Sequence, residues 1–427
     1  MPRILPTTTR GTLLSLGLIV LMSALLSAAL VGCGGGGADT TAPTADDEAM
    51  RPPPPPAPPP AARLAALASV GDKLFHDRSL SASGRLACAS CHAAERAHAD
   101  PAGSFLPLGG ANLDQQGLRS SPSLRYLDQV GPFRIDAQGN AQGGLFWDGR
   151  ADNRAAQARG PLFNASEMAN ESVASLVTKL RATPYFNELL RAAALPGSAG
   201  DEQLLQASLR ALADYQAQDV EFHAYTAKFD AVQDGRAQFT AQEARGLAVF
   251  NDPQRGNCAQ CHSSRPAPNA GPGARAQFSD HRYFALGAPR NQSRATADPA
   301  FFDLGLCGPQ RSDLANQVEQ CGKFRVPTLR NVALTGPYFH NASLATLEEV
   351  VAFYATRDSD PARWYPVVNG QVQRFNDLPA AYRANLFQGA PFNRRPNQPP
   401  AMTPQDVSDV VAFLRTLSDG FSPAVTR

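Results

Sequence analysis

Two short stretches carry residue types at a spacing that can do chemistry. Cys88 and Cys91 precede His92 in Cys-Ala-Ser-Cys-His, and Cys258 and Cys261 precede His262 in Cys-Ala-Gln-Cys-His. Paired thiols followed at once by an imidazole meet the needs of covalent haem attachment. The thiols add to the porphyrin vinyl groups and the histidine sits beneath the iron as proximal ligand. A CxxC pair also suits a zinc or redox site. Two such pairs, each followed directly by His in a chain with only seven Cys and seven His, point to two haems c.

The other three cysteines report on compartment. Arg3 and Arg10 precede the apolar run Leu13 to Val31, which ends in Leu30-Val31-Gly32-Cys33. Residues 1–32 therefore read as a signal peptide with a lipobox-like site, making Cys33 the acylated first residue of the mature chain. An uncleaved transmembrane anchor is the alternative that the apolar length permits. Gly34 rather than Asp follows the cysteine, as in lipoproteins of the outer membrane. Haem c is attached on that same periplasmic side. In an oxidising compartment Cys307 and Cys321 are expected to pair as a disulfide.

These sites need elements to hold them. Residues 33–61 are rich in Gly, Ala, Thr and Pro, a composition that builds no core and reads as an extended tether. The remaining length fits two domains, 62–235 and 236–427, each holding one motif. Lys and Arg total 39 against 38 Asp and Glu, a net charge of +1 with no basic run, so nothing points to nucleic acid. Leu64, Leu67 and Leu74 form a stripe ahead of the first motif; Thr240 and Glu243 form a capping box ahead of Leu247 and Phe250 before the second. Thr403 caps a last helix with Pro404 in its first turn and Val407, Val410, Val411 and Leu414 on one face. The expected fold is mainly α: two cytochrome c-like haem domains packed together, with long loops.

Axial ligands decide what each haem can do. For the second haem, Met402 is the only methionine beyond Cys258, and its place just before the Thr403 cap suits a loop or packing residue. A better candidate lies in a second capped segment, Thr346 and Glu349, where Leu347, Val350, Val351 and Tyr354 share a face. On periodicity alone Tyr354 reads as a core tyrosine.

The chain resembles the bacterial dihaem cytochrome c peroxidases, and within them the MauG-like branch, over most of residues 62–420. The resemblance is carried by Lys73-Leu-Phe-His-Asp-Arg-Ser-Leu-Ser-Ala-Ser-Gly84, Phe146-Trp-Asp-Gly-Arg-Ala-Asp152, Gly160-Pro-Leu162, Phe324-Arg-Val-Pro-Thr-Leu-Arg-Asn-Val332, Pro337-Tyr-Phe-His340 and Thr346-Leu-Glu-Glu-Val-Val351. In the MauG-like branch a tyrosine replaces the family's axial methionine fourteen residues after the matched histidine, and here that position is Tyr354. A phenolate favours the higher oxidation states of iron, so this ligand would lower the second haem's potential.

For the first haem, many members use a histidine sixteen residues past the proximal one; here that position is Leu108. His98 and His76 are weaker alternatives, so the resemblance implies a five-coordinate first haem open to hydrogen peroxide. The distal residues it implies are Glu167 as general acid/base, Gln157 as its companion and Pro161 between them. Trp147 would carry charge between haems. Calcium between the domains would follow from the family too, but Arg119-Ser120-Ser121-Pro122 lacks the expected Asn.

The implied function is a peroxidase supplied with electrons by a small periplasmic cytochrome c or copper protein. A second reading is MauG-like oxidation of a partner protein or organic substrate. That route uses a tryptophan just before the second motif, and residues 251–257 contain none. The third reading is a membrane-tethered dihaem electron carrier, which would need both irons six-coordinate.

Overall fold

The structure, a computed structural model, describes residues 60–101, 106–268, 270–271, 273–292, 298 and 300–422. The leader, Cys33 and the Pro-rich stretch through residue 59 lie outside the described residues. Among the described residues there are ten α-helices: α1 (Pro60–His76), α2 (Cys88–Cys91), α3 (Arg154–Phe163), α4 (Val173–Arg181), α5 (Phe186–Ala193), α6 (Asp201–Gln218), α7 (Lys228–Gln233), α8 (Ala241–Asn251), α9 (Leu347–Thr356) and α10 (Pro404–Arg415). The strands are short antiparallel pairs: β1 (Leu108–Gly109) with β2 (Gln115–Gln116), β3 (Arg134–Ile135) with β4 (Ala141–Gln142), β5 (Tyr283–Phe284) with β6 (Phe324–Arg325), and β7 (Val367–Val368) with β8 (Gln371–Val372). Long loops connect them, and the fold is mainly helical as expected.

Local chemistry starts the helices where the sequence places them. Thr240 Oγ1 accepts from the Glu243 amide at 3.2 Å while Glu243 Oε2 accepts from the Thr240 amide at 2.7 Å, satisfying two donors that would otherwise be orphaned. Thr346 and Glu349 repeat this at 3.1 Å in both directions. Thr403 caps α10, and Asp406 completes a third box. Two expectations shift. α1 opens at Pro60, inside the stretch read as tether, and Leu64 is 46% exposed, leaving Leu67, Val70 and Leu74 as the buried face.

Two helical cores result. In the first, Leu67, Val70 and Leu74 of α1 pack with Leu204, Leu205 and Leu212 of α6. The second joins Val249 and Phe250 of α8, Leu347 and Val351 of α9, and Val410, Phe413 and Leu414 of α10. Phe229 of α7 packs into this second core, ahead of the 235/236 division. Each fully buried Leu contributes roughly 1.5–3 kcal/mol. The two halves share a crossing: a Cβ on Gly71 would lie 1.9 Å from the Ala211 carbonyl oxygen, and one on Gly246 would lie 1.9 Å from that of Asp409. Only glycine lets α1 meet α6, and α8 meet α10, this closely.

Candidate active site

Each Cys-x-x-Cys-His turn lines its own cavity. The first holds about 1320 Å³ of free space, part of it open to solvent, and is lined by Cys88, Cys91 and His92. The second, about 1540 Å³ on the same measure, is lined by Cys258, Cys261 and His262. Burial pushes all four thiols up to about 12 and lowers both imidazoles. These side chains nonetheless keep some exposed surface, and the cavities are what they face.

The imidazoles are aimed by backbone carbonyls. His92 Nδ1 lies 2.9 Å from the His98 oxygen and His262 Nδ1 lies 2.8 Å from the Phe278 oxygen. A carbonyl only accepts, so Nδ1 carries the proton and Nε2 keeps the lone pair that binds a metal. Both acceptor residues are held in the left-handed region, His98 at φ 55° and Phe278 at φ 51°. A non-glycine residue there costs on the order of 1–3 kcal/mol, and such strain collects at functional sites. Two thiols, an oriented imidazole and a roomy apolar cavity fit a covalent haem in each half. Among the described residues no three His, Cys, Asp or Glu side chains gather to hold a bare metal ion, so the zinc alternative lacks its further ligands.

The first cavity also holds polar side chains. Gln157, Pro161 and Glu167 line it together, with Arg150. Gln157 and Pro161 are four apart on α3, hence on one face. Pro161 has no N–H to give the Gln157 carbonyl. Glu167 Oε1 accepts from Asn164 Nδ2 at 2.7 Å. Gly110 N donates to the Glu167 carbonyl at 2.8 Å, and a Cβ on Gly109 would lie 2.1 Å from the Ser166 oxygen, so β1 clasps this turn closely. Burial holds the Glu167 carboxyl above the usual carboxylate range, while Arg150 and Asn164 pull it back down.

The second cavity is more apolar, and Val350, Val351, Tyr354, Phe392 and Met402 are among its lining. Burial raises Tyr354, and no described side chain hydrogen-bonds its hydroxyl. Met402 also lines this cavity but keeps only 2% of its surface and belongs to the core around α10. The carboxylates that reach the cavity are engaged: Asp303 with Arg119 at 2.7 Å and Asp377 with Arg290 at 3.1 Å.

Between the cavities stands Trp147, which lines both. Its Nε1 donates to the Ser120 carbonyl at 2.9 Å, fixing the ring. The preceding Phe146 sits at φ 65°, and a Cβ on Gly144 would lie 2.4 Å from the Gly149 oxygen. This tight loop presents Trp147 to both cavities and Arg150 to the first.

The other histidine candidates, His76 and His98, line neither cavity. His76 is exposed against Asp72. His98 stacks on Phe222 at 4.2 Å and its Nδ1 accepts from Arg125 at 3.2 Å. Leu108 lines the first cavity and is 56% exposed. The disulfide between Cys307 and Cys321 is formed. At the expected calcium position, Ser120 and Pro337 line a crevice with Arg325 and Arg330, the Ser120 carbonyl accepts from Trp147 and its hydroxyl donates to Phe339. Calcium takes six to eight oxygens, carboxylates among them; these residues do not fit it. Sequence reasoning gave no role to Arg150, Asn164 or Arg325, though Arg150 and Arg325 lie inside segments already singled out.

The chain is similar to known proteins over most of its length. A family model for di-haem cytochrome c peroxidase matches residues 65–238. The methylamine utilization protein MauG of Paracoccus denitrificans is 37% identical over 298 residues, 68% of this chain and 74% of the relative. Cytochrome c551 peroxidase of Pseudomonas aeruginosa is 31% identical over 361 residues, covering 83% and 79%. The crystal structure of the diheme peroxidase BthA from Burkholderia thailandensis superposes with a TM-score of 0.73 at 38% identity, over 85% of this chain and 87% of that one.

Proposed function

Since the chain belongs to the di-haem cytochrome c peroxidase family, in its MauG-like branch, we propose that it reduces hydrogen peroxide in the cavity around His92, with electrons passing by way of Trp147. It is a haem peroxidase, and the family implies two haems c. The first would be held by Cys88, Cys91 and His92, its other face left to peroxide. The second would be held by Cys258, Cys261 and His262, with Tyr354 on its far side. A haem at each place supplies the redox-active iron.

The rest is proton handling and positioning by this chain. Each peroxide takes two electrons and two protons and becomes two waters. Glu167, as carboxylate, takes the proton from one peroxide oxygen and returns it to the other, and Gln157 holds the departing water by hydrogen bonding. Pro161 shapes the wall between them. Burial raises the Glu167 carboxyl, which brings a carboxylate closer to the range where it can both take and give a proton. This half-buried carboxylate, lining the His92 cavity and without an ion pair within 4 Å among the described residues, is the observation that carries the reading.

The reading extends to placement: two haem domains meeting near residues 235/236, a lipid on Cys33, attachment at the periplasmic face of the outer membrane, and a small cytochrome c or copper protein as donor. Among the described residues no helix is long and apolar enough to cross a membrane. Electron paramagnetic resonance of the resting ferric protein tests the site assignment. One high-spin and one low-spin signal are expected, together with peroxide turnover; two low-spin signals and an absorption spectrum indifferent to peroxide would leave an electron carrier.

A further inference from the structure

Two side chains line both cavities, Trp147 and Arg325. Arg325 lies on β6, paired across from Tyr283 of β5. Its backbone N–H donates to the Trp147 carbonyl at 2.9 Å, and its Nε donates to the Phe146 carbonyl at 3.0 Å. The guanidinium is thus tied through backbone to the loop that aims Trp147.

Arg325 is 7% exposed, yet it forms no ion pair within 4 Å among the described residues. The carboxylates near it are spent. Asp148 accepts from Arg119 at 2.7 Å and from Arg150 at 2.9 Å, and Asp303 is held by Arg119 through two bonds of 2.7 and 2.8 Å. Arg119 and Arg150 take up both carboxylates, which leaves Arg325 with no anion within 4 Å among the described residues. A buried guanidinium without an anion is costly, and its planar fork is shaped for a carboxylate. Each haem brings two propionate carboxylates.

We infer that Arg325 is the shared counter-ion for haem carboxylates of both cavities, and that it sets the reduction potentials of both irons in the same sense. This rests on the reading of the two cavities as haem sites. A fixed positive charge disfavours the ferric state, which carries one more positive charge than the ferrous, so Arg325 raises both potentials. Glu167 and Tyr354 distinguish the two irons; Arg325 acts on both.

The test is spectropotentiometric titration of the full chain carrying its haems, with haem content measured separately by the pyridine haemochrome spectrum. Wild type with two haems per chain establishes the premise, and a chain lacking them removes the underlying site reading instead. In Arg325→Gln both midpoint potentials should fall together, and in Arg325→Lys, which keeps the charge, both should stay near wild type. Arg150→Gln, altering a residue that lines only the first cavity and is paired with Asp148, should leave the second potential in place. Unchanged potentials in Arg325→Gln, a fall at one iron only, or an equal fall of both in Arg150→Gln would overturn the inference. Should Arg325→Gln fail to accumulate, Arg325→Lys decides: displacement of one or both potentials with the charge retained counts against it.

Discussion

Around His92 and around His262 the chain builds the same support. Both imidazoles give their Nδ1 proton to a carbonyl on a residue in the left-handed region, His98 in one case and Phe278 in the other. In both halves the helix ahead of the motif crosses a later helix through a glycine, Gly71 or Gly246. In the rest of each lining the likeness ends. The first cavity receives Gln157, Arg150 and the half-buried Glu167; the second receives Tyr354 among valines and phenylalanines. The two halves share what would hold a haem and differ in the other side chains of the lining, because holding depends on backbone and core while reactivity depends on a few side chains.

The largest break in this comparison should come from Glu167→Gln. Loss of one general acid/base typically removes 100- to 10,000-fold of rate, so peroxide turnover should fall by about that factor with haem content unchanged. Steady-state peroxide consumption with a reduced dye as donor measures it, and turnover near wild type would withdraw the role. Tyr354→Phe probes the other wall. It should convert the second haem to a high-spin ferric signal while the first stays as it was, and an unchanged resonance spectrum would remove Tyr354 as its ligand.

The shared support can be tested by symmetry. Gly71→Ala and Gly246→Ala should each destabilise by about 1–3 kcal/mol, because the added methyl meets backbone that must shift. Thermal unfolding followed by circular dichroism reads this, and a marked inequality would show the two crossings to be alike in shape but not in importance. The smallest effect is on pH. The proton-accepting form of Glu167 is its carboxylate, so turnover on the acid side rises as pH passes through its raised value. Arg150 pulls that value down; Arg150→Gln should move the acid limb to higher pH. A limb that stays in place, or moves lower, would separate Arg150 from Glu167.

Much of this was readable before any coordinate. The capping boxes at Thr240 and Thr346 and the stripe on α10 are local, repeating patterns, and they form where the spacing puts them. Leu64 misled because a stripe read by spacing does not know which end of a helix is covered. Glu167 and Gln157 could be assigned only through the family resemblance: taken alone, a carboxylate on a turn and an amide on a helix look like surface. Burial, the clasp of β1 over residues 166 and 167, and the Asn164 amide are what make Glu167 unusual, and none of these leaves a periodic trace.

By itself the sequence determined where covalent haem chemistry is possible, since two thiols and an imidazole within five residues can meet one porphyrin wherever the segment lies. It determined the helices too, because capping and apolar spacing act over a few turns. The tertiary structure decided which residues share a wall. Trp147 and Arg325 are far apart in the chain, yet a backbone hydrogen bond of 2.9 Å joins them between the two cavities. Such contacts follow from how the loops between helices close over the cores, a long-range outcome that no local spacing encodes.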